Sequence, residues 1–128
     1  MTPHGAMMAW GAAATTAREV LASFHAAEEA YDTAGRACCS YSGHSGVVEA
    51  GLLKAQRAAG TAEMRAYAAY YGAREVAVSA RAAVCAAYTH AGFPQAVRAL
   101  DTIARDELDW SPGLEDAMTA LLSAPVRA

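Results

Sequence analysis

Large aromatic side chains are scarce in this 128-residue chain, which holds two phenylalanines and two tryptophans beside six tyrosines. Alanine is by far the largest part of its 55% hydrophobic content. Alanine favours helix and yields little transfer energy per residue, so the composition points to helices packed closely over long contacts. The length suits a single helical domain, 1–128, with one core.

Cysteine is scarce as well. Cys38, Cys39 and Cys85 are odd in number and two are adjacent, which argues against a disulfide framework. A vicinal Cys38–Cys39 bridge is opposed by helix geometry, because neighbouring side chains diverge by about 100°. The formal net charge is -3 and no run of Lys or Arg occurs, so the basic footprint of sequence-independent nucleic-acid binding is missing. The charges are uneven: Lys54, Arg57, Arg65, Arg74, Arg81 and Arg98 fall mid-chain, and Asp101, Asp106, Glu107, Asp109, Glu115 and Asp116 crowd the end. No apolar stretch has the length of a spanning helix, and no Lys or Arg precedes Met7-Met8-Ala9-Trp10 as a secretory leader requires. The expected compartment is the cytoplasm, with neither membrane nor nucleic acid as partner.

Sustained apolar/polar alternation, the mark of a half-buried strand, is also missing, and glycine and proline punctuate a helical pattern instead. The expectation is an all-α bundle of about five helices around one long, alanine-rich central helix. The first runs about Thr15 to Cys39, with Ala17, Val20, Leu21, Phe24, Ala27, Tyr31, Ala34 and Cys38 on one face; residues 1–14 are a flexible lead-in, an extension or a short extra helix. Val47 to Ala59 follows, with Ser45 or Gly46 as N-cap and Glu49 near the positive dipole end. Gly60-Thr61 reads as a stop and a new cap, although a lone glycine can be passed over within one helix. Ala62 to Ala91 is the longest helix and would span about 45 Å. Pro94 to Leu108, and a short helix after Ser111-Pro112 reaching Ser123, complete the set.

Gly43-His44-Ser45-Gly46-Val47 falls one residue short of the G-x-S-x-G nucleophile elbow. The elbow needs a strand running into the turn, whereas a helix enters this one, so Ser45 is expected to be a cap. His25, Glu28, Glu29 and Asp32 share a side of the first helix, but the Glu-x-x-His order of di-iron bundles occurs nowhere, and a solvated face with an Asp32–Arg36 pair is the simpler expectation. Cys38, Cys39 and His44 lack zinc-ligand spacing, and the Asp101–Asp109 cluster lacks the turn glycine of a calcium loop. No cofactor is expected.

The longest helix has two unlike sides. Ala66, Ala69, Ala73, Val76, Ala80, Ala83, Val84, Ala87 and Ala91 project to one, carry no charge, and are expected to be core. The other carries Met64, Tyr67, Tyr70, Tyr71, Arg74, Val78, Arg81, Cys85 and Tyr88, and tyrosine, arginine and methionine are the types enriched in protein interfaces. The competing expectation buries both sides, with the arginines paired to acids of other helices. The functional reading is a non-catalytic interaction protein that binds itself as a homodimer, or another protein, through Tyr67, Tyr70, Tyr71, Arg74, Arg81 and Tyr88. The alternative is a ligand- or metal-binding bundle, an enzyme included, using Arg74, Arg81 and nearby tyrosines for an anion or His25, Glu28 and Glu29 for a metal.

Overall fold

The computed structural model describes residues 1–124, and among them it is all-α, with four helices and no strand. Helix α1 spans Pro3–Ser40, α2 Gly46–His90, α3 Ala96–Ile103 and α4 Leu114–Ser123. The count is four because the expected boundary at Gly60-Thr61 is not one, and because the residues before Thr15 add no helix of their own. Residues 5–14 continue α1, which starts where the Thr2 hydroxyl accepts the Gly5 N–H at 3.0 Å and Pro3 takes the first helical position. Thr61 does not cap: its hydroxyl donates to the Arg57 carbonyl one turn back, at 3.1 Å. Gly60 lies inside the helix with the Tyr31 ring close by, which a Cβ there would meet at 3.1 Å.

The start and end of α2 follow local rules. Ser45 caps the start, its hydroxyl accepting the Val48 N–H at 3.4 Å, while its own N–H donates to the Tyr41 hydroxyl at 3.1 Å. At the other end Gly92 takes φ +97°, and the N–H groups of Gly92 and Phe93 return to the carbonyls of Thr89 and Tyr88, a glycine-terminated Schellman stop. Helix α3 is shorter than expected, since Pro94 and Gln95 form a turn and the chain leaves helical geometry at Ala104. Helix α4 begins at Leu114 rather than at Ser111-Pro112, with Glu115 and Asp116 in its first turn.

The chain forms two compact units. The first joins Met1–Arg18 to the residues from Gly72 onward. Its core holds Trp10, Met7, Leu100, Met118 and Val84, all fully buried, with Ala6, Ala14, Ala87, Ala96 and Ala104 filling between them. Gly11 admits the indole of Trp110, which a Cβ would meet at 2.5 Å.

The second unit, Glu19–Tyr71, is an antiparallel hairpin of the adjoining parts of α1 and α2, closed by the loop 41–45. None of its residues is buried. Half-buried side chains recur at alternating spacings of three and four, with the 37% exposed Tyr31 completing the row: Val20, Phe24, Ala27, Tyr31, Ala34 and Cys38 on α1, and Leu52, Gln56, Ala59, Glu63, Ala66 and Tyr70 on α2. That spacing is the a/d seam of a two-helix coiled coil. Tyr31 lies at the level of Gly60, Gly35 at that of Gln56, and Phe24 packs on Tyr67 and Tyr70.

The seam also corrects the expected core face of α2. Val76 is 59% exposed and Ala69, Ala83 and Ala91 are exposed, while Tyr70, expected on the opposite side, is half-buried. The covered side is completed by Tyr70, Ala77 and Val84, each one residue on from Ala69, Val76 and Ala83, a rotation of about 100°.

Candidate interaction surface

The expected Tyr/Arg face divides between exposed and packed residues. In the hairpin unit Tyr67 and Tyr71 are 53% and 51% exposed and Met64 is 74% exposed. Behind them Phe24 meets Tyr67 with ring centroids 5.5 Å apart and lies nearly parallel to Tyr70 at 6.3 Å; Tyr67 and Tyr71 stand 6.4 Å apart. Such offset and tilted contacts hold aromatic side chains in place at low entropic cost. The result is a fixed aromatic surface on a unit with no buried residue.

In the other unit the face is spent on the fold. Arg81 directs Nε and Nη2 to the Ala104 carbonyl at 3.1 and 2.8 Å, and Nη2 also to Asp101 Oδ1 at 2.9 Å. Its guanidinium carbon lies 5.9 Å from the Trp10 ring centroid, a cation–π contact. Tyr88 is 6% exposed, and burial foremost, then Glu115, raises its hydroxyl above the usual tyrosine value. The Arg74 Nε–H donates to Glu107 Oε1 at 2.5 Å, and that bond is the main reason the Glu107 carboxyl sits below its ordinary value. Arg81 therefore meets an acid of its own chain.

These contacts belong to one irregular segment, 104–110, whose carbonyls are taken by side chains instead of a helix. The Trp10 indole N–H donates to the Glu107 carbonyl at 2.8 Å, and Arg18 Nη1 donates to the carbonyls of Leu108 and Trp110, both at 2.8 Å. Backbone oxygens satisfied by guanidinium and indole donors have no need of helical partners, which is why α3 stops at Ile103. Sequence reasoning passed over Trp10 and Arg18, and no local pattern marks them, because their partners lie about ninety residues away.

The chemical alternatives do not assemble. His25 Nδ1 lies 3.1 Å from Glu28 Oε1 on an exposed surface, and Glu29 and Asp32 are exposed. Arg36 does not pair with Asp32 as expected; it donates to the Thr33 hydroxyl at 3.3 Å. Among the described residues no three His, Cys, Asp or Glu side chains come together as metal ligands would. All three cysteines are free, and burial raises the Cys85 thiol above its usual value. Among the described residues no helix is long and apolar enough to cross a membrane. No family model, no curated protein and no solved structure matches the chain.

Proposed function

We propose that the chain is a single non-catalytic helical interaction domain that docks protein, its own copies included, through the aromatic surface of the hairpin unit. The observation that carries this reading is the exposure of Tyr67, Tyr71 and Met64 on a unit without a buried residue, backed by Phe24 and Tyr70. Tyrosine supplies broad contact area with few rotors, and interfaces are enriched in it for that reason. Tyr67, Tyr70 and Tyr71 are the binding residues in this reading, Arg74 is a half-exposed neighbour along α2, and Arg81 and Tyr88 serve the fold. A protein partner in the cytoplasm fits a chain of net charge -3 without a basic run.

The test is the Tyr67→Ala/Tyr71→Ala double variant, followed by native mass and by capture of binding partners. Association is expected to weaken by about 2 kcal/mol or more, while the melting temperature moves little because both rings are half exposed. Unchanged association, or stoichiometric metal or small molecule retained in the purified protein, would overturn the reading.

A further inference from the structure

We propose that the partner is a second copy of this chain, and that two hairpin units close face to face with α1 of each lying on α2 of the other. This rests on the interaction reading above and names its partner. With the seam at heptad positions a and d, the flanking e and b rows of the two antiparallel helices lie side by side and make one face of the hairpin. On α1 that face carries His25, Glu28 and Asp32; on α2 it carries Arg57, Met64, Tyr67 and Tyr71. One half is acidic, and the other is aromatic with a positive charge.

Two particulars point to self-pairing. Asp32 and Arg57 are both exposed, and neither side chain has an ionic partner among the described residues. The Glu19–Ser40 part of α1 is about 33 Å long, and two helices abreast are about 20 Å wide, so the face measures on the order of 650 Å², close to the ~800 Å² per partner of a standard interface.

Symmetry and charge then select the arrangement. A twofold axis across the helices stacks α1 on α1, setting Glu28 and Asp32 against their own copies, which like-charge repulsion opposes. An axis along the helices sets α1 on α2 and keeps every residue at its own level. Because Gly35 lies level with Gln56 and Tyr31 with Gly60, Asp32 of one copy stands about 3 Å along the axis from Arg57 of the other, and symmetry makes that pair twice. Tyr67 of the second copy, level with Phe24 in its own hairpin, comes beside His25.

Sedimentation equilibrium of the full chain tests this, using Asp32→Arg, Arg57→Asp and the double swap, with circular dichroism as the folding control. The expected result is a dimer that each single swap weakens at least tenfold and the double swap restores, with helix content unchanged throughout. A wild-type chain that stays monomeric at millimolar concentration overturns the second-copy inference. Should that monomer still bind a different protein through Tyr67 and Tyr71, the broader interaction reading stands without it. A dimer indifferent to the swaps, or one not restored by the double swap, overturns the α1-on-α2 arrangement.

Discussion

The two units draw on the same two helices and are packed by different means. Around Trp10, bulky groups meet from both ends of the chain: Met7, Val84, Leu100 and Met118 are fully buried, and Gly11 gives up its side chain so that the Trp110 indole can lie against the backbone. Between Glu19 and Tyr71 the seam sets alanine at Ala27, Ala34, Ala59 and Ala66 and polar groups at Gln56 and Glu63 among its larger side chains, and nothing is fully covered. A fully buried Leu, Val or Met contributes about 1.5–3 kcal/mol, whereas alanine mainly lets helix axes approach. Helical spacing alone thus sets a seam; cover from further elements, as Leu100, Leu114 and Met118 supply around Trp10, makes a core.

Truncating an aromatic in each unit should expose the difference most strongly. Trp10→Ala is expected to lose about 3–5 kcal/mol of stability, since it removes a fully buried indole and leaves the Glu107 carbonyl without its donor. Phe24→Ala, half-buried in the hairpin, should lose only about 1–2 kcal/mol. Denaturant unfolding of both variants measures the gap, and equal losses would mean that the hairpin hides a core of its own.

Glycine substitutions sharpen the contrast by changing its sign. Gly11→Ala places a methyl group against the Trp110 ring and should destabilise by about 1–3 kcal/mol. Gly51→Ala in the hairpin meets nothing within 4 Å, so the gain in helix propensity should stabilise by about 0.5–1 kcal/mol. Opposite shifts in melting temperature are the expected observation.

The smallest effect is a pH dependence confined to the larger unit. Glu107 has a depressed folded pKa, so its contribution is present above its ordinary value of 4.5 and fades as the pH falls through the lower folded value. Glu107→Gln should flatten the acid limb of the stability curve below pH 4.5 by no more than about 1 kcal/mol, because Arg74 is 46% exposed and its pairing is screened. Hydrogen exchange at neutral and acid pH, compared between wild type and Glu107→Gln, should show the pH-dependent difference in protection within the Trp10 unit.

Much of the helical content was legible in the sequence, because helix propensity and capping are local. The Val20–Phe24–Ala27–Cys38 stripe, the Ser45 cap and the Gly92 stop each follow from residues within a turn of one another. Gly60 was ambiguous, since a glycine that ends a helix and one that makes room for Tyr31 look alike until the partner helix is placed. The candidate face was legible only in part: Tyr67 and Tyr71 lie exposed, but whether Arg81 and Tyr88 meet solvent depends on a segment more than ten residues further on that folds back over them. Val76 and Tyr70 were misplaced because the rows Ala69–Val76–Ala83 and Tyr70–Ala77–Val84, one residue apart, are both apolar, so the sequence offers little contrast to choose between them.

The same long-range ties carry a consequence for the order in which the chain can acquire its structure. Trp10 reaches Glu107 across 97 positions and His4 reaches Glu115 across 111, while the hairpin closes through the short loop 41–45. Local closures form early, and distant ones wait for the entropy of a long loop to be overcome. On the ribosome the hairpin is complete once Tyr71 has emerged, whereas Leu100, Leu114 and Met118 follow some thirty to fifty residues later. Until then Met7 and Trp10 travel uncovered on a helix already made, so the window for aggregation or chaperone capture of the nascent chain falls on the segment Met1–Arg18.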